Sequence, residues 1–248
     1  MAMAHAFETR HEATVAATPE QVWDAITTGP QVDSWFMGHS DFEPRQGGVA
    51  RFEDPAFSME STITAWQPPT RFSFRSPEDP DGGFHVFDYH VEPAPDGATV
   101  RWIHSGALTG DDWEAEYVAM GEGDPMFFGK LVEYLTYFRG RIATSVAAFG
   151  PNLGDGLTAA HYLEPLGLAA MPSLEDQMRL TPSGLEPIEG VVDAWSKSFF
   201  GVRTDDAMYR WFAGFEGTTM VGHHLFGEGV DGDAEVQAWA DWLARTFS

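Results

Sequence analysis

TPEQVWDAITTGPQVDSWF, residues 18–36, decides how the first half of this chain reads. Thr18 is an N-cap, Pro19 takes the first helical position, and Gln21 sits where its side chain reaches back to the cap, which together predict a capping box. Val22, Trp23 and Ile26 then share one helical face. Gly29-Pro30 stops that helix, and a short second turn carries two large aromatics, Trp35 and Phe36. Upstream, FETRHEATVAA (7–17) alternates, with Phe7, Thr9, His11, Ala13 and Val15 on one side, the pattern of a half-buried strand.

Downstream the texture changes to short alternating segments parted by turn residues. GGVARFED (47–54), SMESTITAWQ (58–67) and RFSFRS (71–76) read as strands. FHVFDYHVEP (84–93) and ATVRWIHSG (98–106) flank Ala94-Pro95-Asp96-Gly97 as a hairpin. After Asp111, DDWEAEYVAM is helical and ends at Gly121-Glu122-Gly123. Asp124 and Pro125 read as a second cap, opening a long helix with Phe127, Leu131, Tyr134, Leu135, Phe138 and Ile142 at helical spacing. The expected fold class is α+β: a curved antiparallel meander over residues 1–149, wrapped around its last long helix.

These blocks carry a resemblance. TPEQVWDAITTGPQVDSWF, the meander, and DDWEAEYVAMGEGDPMFFGKLVEYLTYF together resemble the START-like (SRPBCC) superfamily of helix-grip proteins, in the branch named for homologues of the activator of the heat-shock-protein-90 ATPase. The resemblance covers roughly residues 7–149. It implies a sheet gripping a C-terminal helix, often with an apolar cavity between them, in a superfamily that includes lipid carriers, aromatic polyketide cyclases and hormone receptors.

Residues 150–248 repeat that plan in abbreviated form. GPNLGDG (150–156) reads as a linker and LTAAHYLEPLG (157–167) as a short helix. DQMRL, GLEPIEGVVDAW, SFFGVRT, AMYRWFAGF and TTMVGHHLF are strand-like, and DAEVQAWADWLARTF closes the chain as an amphipathic helix. The expectation is a second α+β unit, a truncated helix-grip repeat.

Composition narrows the function. The formal charge of −24, from 38 acidic and 14 basic side chains with only Lys130 and Lys197 as lysines, repels phosphate backbones and anionic lipid, which argues against nucleic-acid and membrane partners. The absence of cysteine removes disulfides, thiol nucleophiles and thiolate metal sites. No window approaches the ~20 apolar residues of a membrane span, and MAMAHAFETR lacks the pattern of a secretion signal, so a cytoplasmic protein is expected.

Strand faces bring three histidines inward: His11, His85 and His104. Closing the hairpin at Pro95-Asp96 sets Tyr89 opposite Trp102 and Phe87 opposite His104, with His85 diagonal to His104 at about 7–8 Å. A metal site would need closer convergence and a ligand spacing such as HExxH, so neither metal nor cofactor is expected. His223 and His224 fall on opposite strand faces, and Arg203-Thr204-Asp205-Asp206 reads as a turn. No GxSxG, Walker loop or dinucleotide fingerprint is present. The aromatics Trp35, Phe36, Phe52, Phe57, Trp66, Phe74, Phe87, Tyr89, Trp102 and Phe127 are core or cavity wall, and Met59 and Tyr134 complete the candidate lining with His85 and His104. The first function expected is binding of a hydrophobic or aromatic small molecule, with His104 or His85 as its polar anchor. A cyclase/aromatase-type enzyme and a chaperone-associated interaction protein are the alternatives, the last ranked lowest because fold does not fix function.

Overall fold

The computed structural model describes residues 4–54, 57–154, 156–214 and 217–248. The side chain of Phe57 and the expected strand end and turn at Phe215 and Glu216 lie outside the described residues. The chain forms two compact units, residues 1–142 and 143–248.

The first unit runs β1 (His5–Val15), α1 (Pro19–Thr27), α2 (Gly29–Val32), β2 (His39–Phe42), β3 (Val49–Asp54), β4 (Phe57–Gln67), β5 (Arg71–Arg75), β6 (Phe84–Ala94), β7 (Gly97–Leu108) and α3 (Trp113–Glu133). Its sheet has the order β1-β7-β6-β5-β4-β3-β2, so the first strand lies beside the last and the rest is a meander. The short strand β2 was not separately legible, because four residues give too little alternation to register.

The capping box forms as the sequence dictates. The Gln21 amide donates to Thr18 Oγ1 at 3.3 Å and the Thr18 amide to Gln21 Oε1 at 2.9 Å, which together orient the buried face of Val22, Trp23, Ala25 and Ile26. Trp35 is fully buried, and its indole Nε1 donates to the Ala25 carbonyl at 2.8 Å, tying the turn after α2 to α1. Phe36 is half-buried and edge-on to Trp35.

Two expectations fail along α3. Gly121-Glu122-Gly123 does not break it, and Asp124 is not a cap: a single helix runs from Trp113 to Glu133 with Pro125 inside it and Asp124 buried. Glycine costs a helix interior only about 1 kcal/mol, and the packing of Phe128, Leu131 and the rest of the buried face outweighs that penalty. The helix widens into a π-turn over Tyr134–Phe138, and Ile142 lies beyond it, exposed rather than on the apolar stripe. The next residues are not helical tail. They form β8 (Thr144–Asn152), a strand of the second sheet, so the expected division at 149/150 falls inside a strand.

The second unit has β9 (Gln177–Leu180), β10 (Ile188–Trp195), β11 (Phe199–Arg203), β12 (Ala207–Ala213), β13 (Thr218–Leu225) and α4 (Gly232–Thr246), in the sheet order β8-β13-β12-β11-β10-β9. The expected helix at 157–167 is a single 3-10 turn, Ala159–Tyr162. Tyr162, Phe200, Trp211, Trp239, Trp242 and Leu243 share its core. Arg210 forms a buried two-point pair with Asp193 at 2.9 and 2.7 Å, and residues 203–206 do turn the chain between β11 and β12. No helix among the described residues is long and apolar enough to cross a membrane.

Trp35 acts as core in this arrangement. Trp35→Ala is expected to cost about 3–5 kcal/mol, the usual range for removing a buried tryptophan, and denaturant unfolding of the variant measures it.

Candidate functional site

The expected hairpin register holds: Phe87 pairs with His104 and Tyr89 with Trp102, while His85 pairs with Gly106. Gly106 lets the backbone and the Phe7 ring pack closely beside His104: a Cβ there would lie 2.0 Å from the Phe84 carbonyl oxygen and 3.0 Å from the Phe7 ring. The two histidines, diagonal in the ladder, meet through their side chains, with His85 Nδ1 3.0 Å from His104 Nε2.

The other ring nitrogen of His104, Nδ1, lies 3.0 Å from both oxygens of Asp124. Asp124 also accepts from Thr9 Oγ1 at 2.6 Å, and Thr9 is the β1 residue paired with His104. At the other end, His85 Nε2 is 3.3 Å from Glu116 Oε1, on the outer side of α3. A polar chain therefore crosses from buried Asp124 through His104 and His85 to half-exposed Glu116. Phe87 stacks on the His104 ring at 4.2 Å and Phe7 meets it edge-on at 5.1 Å.

Burial holds His85 below the ordinary imidazole value, with repulsion from His104 adding to it and Glu116, Asp79 and Asp124 opposing. Burial also lowers His11, which Asp124 pulls upward and His104 downward. Burial, then the Asp124 charge, raises the Tyr89 phenol. His11 lies on the inward side near Trp102 and Phe128 and makes no direct bond to the His85–His104 chain among the bonds described. His11 Nε2 and Trp102 Nε1 are buried without a hydrogen-bond partner among the described residues.

The aromatic candidates form one continuous chain of rings. Phe36 touches Phe127 at 4.7 Å and Phe52 at 5.8 Å, Phe52 touches Phe74 at 5.2 Å, Phe74 touches Phe87 at 5.0 Å, and Tyr89 stacks on Trp102 at 5.7 Å. Met59 is half-buried and pairs with Phe52 across β3 and β4. Tyr134 stands apart. Its hydroxyl donates to Gln31 Oε1 and the Arg141 carbonyl and accepts from the Gly140 amide, which closes the end of the π-turn. Burial pushes that phenol up to about 12, against the lowering effect of the hydrogen bond from the Gly140 amide.

A half-open cleft of about 230 Å³ sits where β1 and the end of β7 meet the start of α3, lined by His5, Ala6, Phe7, Glu8, Leu108, Trp113 and Tyr117. The His5 ring stacks flat on Trp113 at 3.8 Å. None of the candidate lining residues read from the sequence is among these. Phe7 joins the two regions, since it lines the cleft and also contacts His85 and His104.

Asp124 is the residue of this polar chain that the sequence hid. Its signal was an acid on the apolar stripe, in step with Phe128, Leu131 and Leu135, masked by the capping pattern of Asp124-Pro125. No group of three His, Asp or Glu side chains among the described residues is placed to hold a metal ion.

Residues 16–136 match the family described as activator of Hsp90 ATPase homolog 1-like protein, a span just under half the chain. Among solved structures, a Mesorhizobium loti protein is 25% identical over 52% of this chain and 96% of its own, with a TM-score of 0.46. The Aha1 dimer of Colwellia psychrerythraea is 18% identical over 54% and 99%, TM-score 0.45. CalU16 of Micromonospora echinospora is 19% identical over 52% and 76%, TM-score 0.40. No curated protein matches the chain. The sheet order, the long helix laid on β1 and β7, and this match define the first unit as a START-like helix-grip domain.

The depressed values of His85 and His11 have a consequence for stability. A histidine whose folded value lies below its unfolded value of about 6.5 makes the unfolded state bind more protons, so stability is full above that value and is lost as pH falls toward the folded one. Denaturation midpoints are expected to drop as pH is lowered through about 6.5, and the drop shrinks in His11→Phe.

Proposed function

We propose that the first unit binds a small aromatic molecule, and that it does so at the cleft of β1, β7 and α3 rather than deep between sheet and helix. The observation that carries this reading is the cleft itself: an opening at the sheet–helix mouth walled by Phe7, Leu108, Trp113 and Tyr117, with the His85–His104–Asp124 chain behind Phe7. Apolar walls with a few convergent polar groups are the usual make-up of a ligand site. A volume of about 230 Å³ is below the usual ~300–1,000 Å³ of drug-sized sites, which favours a one- or two-ring ligand left partly in solvent. The ring chain from Phe36 to Trp102 then serves as the rigid floor beneath the site. The alternative of a chaperone partner is carried by the family's description alone.

We also read the second unit as an abbreviated helix-grip repeat. Its first strand lies beside its last and its terminal helix follows that strand, the same order as in the first unit with one strand fewer.

Thermal unfolding tests the binding proposal. A ligand present at 100 times its Kd stabilises by about 2.7 kcal/mol, and Trp113→Ala is expected to abolish the resulting melting shift while leaving the unliganded midpoint within a few degrees of the parent. Screening naphthalene and related two-ring compounds without any shift would remove the proposal.

A further inference from the structure

The polar chain has a proton count that fixes what its outer end can do. Between Glu116 and Asp124 lie three gaps: Glu116 Oε1 to His85 Nε2 at 3.3 Å, His85 Nδ1 to His104 Nε2 at 3.0 Å, and His104 Nδ1 to the Asp124 carboxylate at 3.0 Å. Each gap is a hydrogen bond only if it holds a proton. Two neutral imidazoles carry one N–H each, so with both histidines neutral one gap is empty.

Burial decides which. Asp124 is 6% exposed and His104 4%, and a buried carboxylate left without its donor is costly; the innermost gap is therefore filled by His104 Nδ1–H. That leaves His104 Nε2 as an acceptor, so the middle gap takes its proton from His85 Nδ1, because two lone pairs at 3.0 Å would repel. The empty gap is the outermost, where solvent reaches. With both rings neutral, His85 Nε2 presents a lone pair held in place by Asp124 through His104, facing a glutamate that has no proton to offer it.

We propose that this lone pair, which lies behind Phe7 and is not part of the cleft wall, is the polar handle a ligand in the cleft reaches past the Phe7 ring, and that the ligand is an aromatic hydroxyl compound, a neutral phenol- or naphthol-like molecule that donates its O–H to His85. The inference rests on the binding reading above and names its ligand class. Phe7 connects the two places, as it lines the cleft and packs against the His85 ring at 5.6 Å, and Glu116 lies on the same face-forming turns of α3 as Trp113 and Tyr117. The charges around the handle select the neutral hydroxyl over its anion. Glu116 and Asp124 approach from α3, Asp79 acts on His85 from the connection between β5 and β6, and Glu8 lines the cleft from β1. Among the described residues, His104 on β7 and His5, Trp113 and Tyr117 in the cleft wall also carry N–H or O–H protons at the site.

The same count gives a pH dependence. When His85 takes up a second ring proton, the third of the chain, its Nε2–H donates to Glu116, all three gaps are filled and the handle is closed to an O–H donor. Affinity for the hydroxyl compound falls with acidification, while affinity for the bare hydrocarbon does not.

Binding of 1-naphthol and of naphthalene to the full chain, at roughly pH 7.5 and roughly pH 5 on either side of the ordinary imidazole value, tests this. At the higher pH 1-naphthol is expected to bind roughly 5-fold more tightly, the scale of one net hydrogen bond. The preference disappears at the lower pH and in His85→Phe, and persists in His90→Phe, whose ring lies beside Asp88 on the opposite face of β6. Equal affinity for the two probes at the higher pH overturns the hydroxyl handle and leaves the cleft as a binding site; no binding of either probe overturns both readings. Nitrogen-15 NMR of the histidine rings decides the proton count whether or not any variant folds: His85 Nδ1 protonated and Nε2 bare at the higher pH is the expected result, and a protonated Nε2 there sinks the proposal.

Discussion

The carboxylate of Asp124 is the constraint from which the rest of the first unit follows. Taking a charge out of water costs several kcal/mol unless partners replace the lost hydration, and Asp124 finds its partners on two different strands, Thr9 of β1 and His104 of β7. Helix α3 can therefore satisfy this residue in only one rotation and one axial position against the sheet. The strand register is bound by the same requirement, because a one-residue slip of β7 would turn His104 to the opposite face. The interaction is better understood as specifying the arrangement than as a source of net stability, since buried polar groups largely repay their own desolvation.

Around that fixed point the aromatic residues do the stabilising. Ring contacts run from the turn after α2 across the sheet to His104, and each large buried side chain contributes a few kcal/mol of hydrophobic free energy. The consequence for function is positional. Rings that interlock at packing distance make a stiff floor, and a cleft opens where β1 starts, β7 ends and α3 begins. A site at the junction of two elements can hold a small ligand without disturbing the core beneath it.

Much of the fold was legible from residues alone because local signals and the tertiary result agreed. Thr18-Pro19-Glu20-Gln21 sets the cap by hydrogen bonds within four residues, and the alternation of β1, β6 and β7 needs only a buried face to be realised. The hairpin at Pro95-Asp96 fixed the register, and with it the neighbourhood of His85 and His104. The failures share one cause. Asp124-Pro125 and Gly121-Glu122-Gly123 are local signals for a helix boundary, and packing against β1 and β7 overrode them. The segment Thr144–Asn152 continued an apolar pattern, and only pairing with β13 made it a strand.

The sequence by itself determined the elements whose stability is local: a capped helix, a meander of alternating strands, a terminal amphipathic helix in each half, and an acidic surface that repels anions. Only the tertiary structure decided that an acid in mid-helix would meet a threonine and a histidine from two strands, that two histidines nineteen residues apart would touch ring to ring, and that a cleft would open beside Phe7. The physical reason is distance along the chain. Caps, turns and alternation are settled by neighbours in sequence, whereas a buried charge is satisfied by groups that only the closed sheet and the docked helix bring within hydrogen-bonding reach.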